Sequence, residues 1–313
     1  MFRKIALVLM MCIGIVTIAI SYEHKEKEDE KYNEKYEAYA TLDTFITGKL
    51  QESLDYYFVK FGYTEEFEAN KNDYLYNGIL LEFNKNELEK IFSYYSAKPN
   101  FDKVDNSLKN LHAEFKELIQ SLSDADTYYK LKSYVDDDFV KGKELHKKIC
   151  SQYTKVKPLK KEFSTHFGDF FIEDSKEKLE EFKKNDFMIK YYALSSLLKA
   201  KDLEIELQRQ KVAKGNMESL DIRKFKEKYN LLVADMNKFL EYSKDSNRIK
   251  KENIDQAFPY AIMDVKSAAT DILTKAQGRD SYRSIGYSRN QEGTTEYLSN
   301  KIKEAILQYV KMK

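Results

Sequence analysis

Apolar residues recur every three or four positions from about residue 25 to the end of the chain. This spacing places them on one face of an α-helix, and it restricts the possible folds more than any other feature. Folds made of many strands need many turns, whereas the 313 residues include only 10 glycines and 3 prolines. The sequence therefore predicts an all-α protein, an elongated antiparallel bundle of about seven or eight helices that forms one large or two abutting bundles.

The first helix is expected to run from near Glu28 to Phe61, where Gly62 ends it. Residues 63–84 have no clear period and are expected to form a loop-rich segment. A short helix over about 86–95 should follow and end before the next proline.

The middle of the chain carries two long apolar rows. The first row alternates steps of four and three, as a helix in a bundle does. Its members are Val104, Leu108, Leu111, Phe115, Leu118 and Leu122. The second row runs from Leu145 to Phe170 in helical phase and passes through Pro158. It predicts one kinked helix or, alternatively, two helices that break before the proline.

The last part of the chain is expected to hold four further helices, each marked by a start or stop signal. The expected starts are Ser175, Ser219, about Ile254 and Thr294 or Thr295, and glycines 215 and 278 end the first and the third.

The N-terminus has the layout of a secretory signal. Residues 1–4 are basic at two positions, residues 5–20 carry no charge, and Ala19 and Ser21 supply small residues before a cleavage point. A helix of 16 residues rises about 24 Å, which is less than the hydrocarbon core of a bilayer. This predicts a signal peptide over 1–21 that is cleaved after Ser21, with an uncleaved anchor as the alternative.

Lipidation is the third way in which the chain could be held after export. It would require a cysteine at the end of the apolar run, but Cys12 lies in its middle and follows two bulky methionines. Residues 22–31 are expected to be a charged spacer, and 32–313 the helical domain. Membrane contact is expected only through residues 5–20, and only if they stay attached. The location is therefore predicted to be periplasmic, secreted or at the outer face of the inner membrane.

Composition excludes several functions. The 53 basic and 52 acidic residues give a net charge of +1, so no basic surface for nucleic acid is expected. Cys150 is the single cysteine after the apolar run, which leaves no cysteine pair for a disulfide or a zinc site. The chain contains no phosphate-binding glycine motif. We therefore predict no cofactor, no metal site and no catalytic motif.

Three groups of polar residues were weighed as possible sites. His146 and Cys150 are four positions apart and share a helix face, which would suit a thiol beside a base, or two metal ligands. His166 has carboxylates within one helical turn, and Asp136–Asp138 could offer oxygen ligands to a cation. Structural roles are favoured for all three groups, with the aspartates serving as a helix N-cap.

The segment 279–293 is the one candidate recognition element. It lies between two expected helices and contains three of the seven arginines, interleaved with tyrosines. Arginine and tyrosine are common anchors of recognition surfaces. An ordinary polar loop is the simpler interpretation, and a loop that binds an anionic or carbohydrate-like ligand or a protein is the hypothesis. The residues concerned are Arg279, Tyr282, Arg283, Tyr287 and Arg289.

Several stretches resemble the YiiG-like family of bacterial envelope proteins. They are YNEKYEAYATLDTFITGKLQESLDYYF (32–58), YVDDDFVKGKELHKKI (134–149), MIKYYALSSLLKAKDLEIELQRQ (188–210) and YNLLVADMNKFLEY (229–242). The resemblance runs from about Tyr32 to the end of the chain. It implies an exported, all-helical domain of unestablished function and provides no catalytic residues. Members are commonly lipoproteins, and the chain departs from that pattern at Cys12.

Together these observations favour an exported helical protein that binds a partner or ligand of the envelope without catalysis. An enzyme whose site forms only in the fold, near His146, Cys150 and His166, is the first alternative. A structural spacer of the envelope is the second alternative.

Overall fold

The computed structural model describes residues 28–68, 85–212, 216–254, 258–278 and 292–312. Every regular element in these ranges is a helix, which confirms the all-α prediction. The α-helices are α1 (28–47), α2 (Lys49–Phe61), α3 (Lys85–Ser93), α4 (Asp102–Lys130), α5 (Tyr134–Asp137), α6 (Val140–Lys184), α7 (Met188–Arg209), α8 (Ile222–Tyr242), α9 (Ser246–Glu252), α10 (Phe258–Ala276) and α11 (Thr295–Lys311). They outnumber the seven or eight helices predicted.

The first predicted helix is confirmed over both α1 and α2. Only Gly48 separates the two, and the backbone hydrogen bonds continue across it, from the Gly48 N–H to Thr44 (2.9 Å) and from the Glu52 N–H to Gly48 (3.0 Å). Gly62 ends α2 with a φ of +100°, a backbone conformation that favours glycine. The first half of the expected bundle therefore begins with one nearly continuous helix.

The two long apolar rows are confirmed as helix faces. All six residues of the row in α4 are buried, and this helix packs along α6. The 45 residues of α6 continue through Pro158, so the prediction of one continuous helix is confirmed and the two-helix alternative is wrong. Helix α7 packs against α6, α8 and α11, while α10 packs against α8 and α11. The buried apolar side chains form one continuous core.

Ser175 was predicted to begin a helix, and this is wrong. Helix α6 passes through Ser175, which is buried, because no glycine or proline interrupts residues 170–184. The break comes at residues 185–187, where Asp186 has a φ of +53°. The two carboxylate oxygens of Glu252 accept the backbone N–H groups of Ile189 (3.1 Å) and Lys190 (2.8 Å), so a distant residue of α9 caps α7.

Other helix ends correct or confirm the sequence signals. Ser219 does not cap α8, because it lies in a short 3₁₀-helix over Met217–Ser219, and Asp221 accepts the N–H groups at the start of α8 instead. Helix α11 begins at Thr295, one of the two predicted starts, and the Thr294 hydroxyl caps it by accepting the Tyr297 N–H. Helix α7 ends at Arg209, ahead of the predicted stop at Gly215, which lies outside the described residues.

A buried lysine holds α1 to the segment that precedes α4. The side chain of Lys35 is 0% exposed, and its ammonium donates to the backbone carbonyls of Ala97 (2.9 Å) and Pro99 (2.8 Å) and to Oδ2 of Asp105 (2.8 Å). An ammonium group has three N–H donors, so all of them have acceptors. The charge is buried with its hydrogen bonds complete.

Both carboxylate oxygens of Asp105 also accept hydrogen bonds. Its Oδ1 accepts the Tyr39 hydroxyl (2.5 Å), and its Oδ2 also accepts the Phe101 N–H (2.8 Å). The Phe101 ring lies 4.9 Å from the Lys35 ammonium, which excludes water from the pair. The pair therefore joins α1, the chain before α4 and α4 itself at one buried point.

Replacement of Asp105 by alanine is expected to destabilise the fold by about 3–5 kcal/mol, because it leaves a buried ammonium and two other donors without their acceptor. Urea unfolding followed by circular dichroism measures the effect. Glu241→Ala removes the exposed pair with Lys238 and is the control, for which we expect little change in the urea midpoint. Similar midpoints for both variants would contradict the role given to Asp105.

Candidate functional site

The structure brings the predicted pair His146 and Cys150 together with two residues from elsewhere. The His146 ring lies beside the Tyr57 hydroxyl, at 3.1 Å from Nδ1, and the carbonyl of Thr64, at 2.7 Å from Nε2. The Cys150 thiol donates to the same carbonyl at 3.2 Å. The side chains of Tyr57, His146 and Cys150 are buried between α2 and α6, and Thr64 is an exposed residue of the chain after α2.

These contacts determine the protonation of the pair. A carbonyl can only accept, so Nε2 of His146 carries the proton and Nδ1 accepts from the Tyr57 hydroxyl. Nε2 is then unable to take the proton of the Cys150 thiol, although the two atoms are 3.6 Å apart. Burial lowers the pKa of His146 and raises the pKa of Cys150 to about 11. Both groups are held neutral, and the arrangement fastens residue 64 to α6.

The other two candidate groups have separate environments. Asp137 accepts the Tyr128 hydroxyl (2.6 Å) and the Lys141 N–H (3.1 Å), so one member of Asp136–Asp138 does support the start of α6. His166 is half-buried, and its Nδ1 has no hydrogen-bond partner in the described part of the chain. No cluster of three or more potential metal ligands occurs among the described residues.

The predicted recognition residues, Arg279 to Arg289, lie outside the described ranges, as does the apolar run 5–20. That part of the analysis therefore stays a prediction. None of the helices in the described ranges combines the length and the apolar character needed to cross a bilayer.

A large cleft lies between α2 and α6 on one side and α7 and the start of α11 on the other. Its volume is about 1090 Å³. Most of the residues that line it are of polar or charged types, and the chain at residues 63–65 forms one edge. The lining residues central to its chemistry are Gln51, Asp55, Phe58, Tyr63, Cys150, Tyr153, Lys157, Lys160, Glu204, Ser299 and Lys303. We call this cavity the polar cleft.

A hydrogen-bonded group centred on Gln51 joins α2 to α6 along one wall of the polar cleft. The Gln51 amide oxygen accepts from the Lys160 ammonium and from the Tyr153 hydroxyl (3.3 Å), while its NH₂ group donates to Asp55 (2.7 Å). Donors meet the oxygen and an acceptor meets the nitrogen, so the amide has one preferred orientation. We call these four side chains the Gln51 relay.

The floor of the polar cleft consists of paired charges. Glu204 accepts from the Lys201 ammonium and from the Ser299 hydroxyl. Burial opposes the ionisation of Glu204, but Lys201 and Ser299 outweigh burial and lower its pKa. Lys303 contacts Asp43 at 3.3 Å and donates to Ser164 at 2.6 Å. These pairs hold α1, α6, α7 and α11 together beneath the cavity.

An aromatic side chain stands at the edge of the polar cleft. Tyr63 is 66% exposed, and its ring stacks on Phe58 with centroids 5.7 Å apart. An exposed aromatic face beside polar groups is typical of a ligand site. The sequence signals missed Tyr63 and the relay, because these residues come from separate parts of the chain and form no local motif.

The comparisons with known proteins give one match. A family model described as "Protein of unknown function (DUF3829)" matches residues 30–311. No curated protein and no solved structure matches the chain. The matched range agrees with the extent of the YiiG-like resemblance, and that finer likeness stays a prediction.

Cys150 is expected to alkylate slowly in the folded protein, because a thiol with a pKa of about 11 is almost entirely protonated at pH 8. Iodoacetamide labelling, followed by mass spectrometry of the peptide that contains Cys150, should be at least about 100-fold slower than in the same chain unfolded in urea. Equal rates in the two states would contradict the raised pKa, and a faster rate in the folded chain would show a thiol activated as in an enzyme nucleophile.

Proposed function

The chain belongs to the DUF3829 family, whose function is unknown. We propose that it is an exported, non-enzymatic protein of the bacterial cell envelope, and that it binds a polar ligand in the polar cleft. The observation that carries this proposal is the cleft itself. It joins a stacked, exposed tyrosine to amide, hydroxyl and charged groups in a cavity of about 1090 Å³.

Export is supported by the N-terminal sequence. Residues 1–21 have the order of a secretory signal, and the YiiG-like resemblance implies an envelope location. Cleavage after Ser21 releases the helical domain, while an uncleaved 5–20 segment would leave it attached to the outer face of the inner membrane. Lipidation at Cys12 is the arrangement with least support in the residues.

The lining of the polar cleft favours a ligand rich in hydroxyl groups. Five carboxylates and three lysines line it, so it has no excess of positive charge for a polyanion. Side-chain hydroxyls and amides can both donate and accept, as sugar hydroxyls do. The ring of Tyr63 offers a flat apolar face beside them. A short oligosaccharide has the chemistry that fits this lining.

Binding without catalysis is favoured by the state of the ionisable groups. The buried carboxylate of Glu204 and the ammonium of Lys303 are each held by partners at the floor. His146 and Cys150 are both neutral and fasten the chain to α6. A cavity of this size also distinguishes the proposal from a structural spacer, which would need none.

Tyr63→Ala is expected to weaken saccharide binding about fivefold, which corresponds to about 1 kcal/mol for the loss of an aromatic face. Titration with maltotriose, cellotriose and chitotriose, followed by saturation-transfer NMR, measures the dissociation constants. The variant should fold normally because Tyr63 is largely exposed.

Tyr260→Ala is the matched control. Tyr260 lies on α10, is 74% exposed and does not line the polar cleft, so its loss should leave binding unchanged. Failure of all three saccharides to bind, or equal effects of the two variants, would refute the oligosaccharide proposal.

Export is tested by the intact mass of the native protein from fractionated cells. We expect the envelope or secreted fraction to hold a species that begins at residue 22, because the apolar run is short for a bilayer. A species that retains residues 1–21 would show that the run serves as an anchor. Recovery in the cytoplasmic fraction alone would refute export.

A further inference from the structure

Lys160 places its amine in the polar cleft, where none of the described carboxylates forms an ion pair with it. It lies on α6, one helical turn after Lys157, and its ammonium donates to the neutral amide oxygen of Gln51. In the described part of the chain, no ion pair within 4.0 Å joins it to an acidic side chain. The buried Lys35, in contrast, is paired with Asp105.

The groups around Lys160 come from four helices. Asp55 on α2 favours the charged amine, and the Tyr153 ring, 5.5 Å away on α6, does so as well. Lys303 on α11 and Lys157 on α6 repel a further positive charge. Glu204 on α7 also lines the cavity, but its carboxylate is held by Lys201 and Ser299.

Removal from water has a larger effect on the pKa of Lys160 than these charges have. Burial, with a smaller contribution from the two lysines, lowers the pKa of Lys160 to about 8, against the opposing effect of Asp55. About a tenth of the amine is then neutral at pH 7, compared with well under a thousandth for an ordinary lysine. Desolvation beside other cationic groups is a known way to make a lysine nucleophilic.

We propose that Lys160 is a covalent site for aldehydes and ketones, because its amine faces a ligand-sized cavity and its close partners among the described residues are a neutral amide and a tyrosine ring. The Gln51 relay holds the amine in place. The Gln51 amide accepts its hydrogen bond, and Asp55 and Tyr153 fix the orientation of that amide. The ligand class is a small carbonyl compound, and the open-chain form of a reducing sugar belongs to it.

The reaction is a condensation that needs no oxidant or reductant. The nitrogen lone pair attacks the carbonyl carbon, a C–N bond forms, and one proton passes from nitrogen to the former carbonyl oxygen. That hydroxyl group then leaves with the second amine proton as water, and the C=N bond of an imine forms. Water reverses the process, so the adduct is lost unless it is reduced.

This inference shares the polar cleft with the proposed function but does not require it. A two-carbon aldehyde tests the amine alone, whereas the saccharide titration tests the cavity. Rapid reaction of Lys160 without saccharide binding would refute only the proposed function. Saccharide binding without rapid reaction of Lys160 would refute only this inference.

The test uses the full chain with glycolaldehyde and sodium cyanoborohydride, which reduces the imine to a stable secondary amine. Peptide mass spectrometry at early times gives the rate at each lysine. We expect Lys160 to react about tenfold faster than the exposed Lys157, since part of the gain in neutral amine is offset by the lower nucleophilicity of a less basic amine.

The pH profile and a variant complete the test. The rate at Lys160 should rise from pH 7 and level off above about pH 9, as the amine loses its proton. Lys160→Arg, with folding checked by circular dichroism, should abolish the fast phase. Equal rates at Lys160 and Lys157 in the native chain, or a fast phase that survives in the variant, would overturn the proposal.

Discussion

The buried pair of Lys35 and Asp105 is the interaction on which the arrangement of the long helices depends. A charge removed from water costs several kcal/mol unless its hydrogen bonds are complete. Lys35 uses all three of its donors, two of them on the carbonyls of Ala97 and Pro99, and Asp105 accepts three donors in all. These hydrogen bonds form only when α1 lies close to α4 and to the chain before it, so the pair favours this placement as well as stabilising it.

The polar cleft follows from the same arrangement. Helix α1 continues into α2, and α4 packs along α6, so the position of α1 on α4 sets where α2 meets α6. The contacts of Lys303 with Asp43 and of Ser299 with Glu204 join α11 to α1 and to α7 beneath the cavity. Apolar side chains at these positions would pack to interior density and close the space. Paired polar groups keep the walls apart and leave Lys160 in a cavity that a ligand can enter.

Much of the helical structure could be predicted because its causes are local. The apolar row from Val104 to Leu122, the stop at Gly62 and the cap at Thr294 each act within a few residues. The predictions failed where a distant partner decides the end of a helix. Ser175 resembles a cap, but α6 continues, and the start of α7 is satisfied by Glu252 from α9. A seven-residue helix such as α9 is also too short to show a clear period.

The sequence alone determined the fold class and the course of the long helices, because apolar spacing and the scarcity of glycine and proline act through backbone hydrogen bonds between near neighbours. It also indicated the signal-like start. The tertiary structure decided the chemistry. His146 and Cys150 became a neutral structural pair through Tyr57 and Thr64, 89 and 86 positions away respectively. Lys160 became a weakly basic amine because the surrounding helices remove it from water, and its ammonium donates to Gln51, 109 positions away. Desolvation and partner geometry depend on residues far apart in the chain, and no local pattern records them.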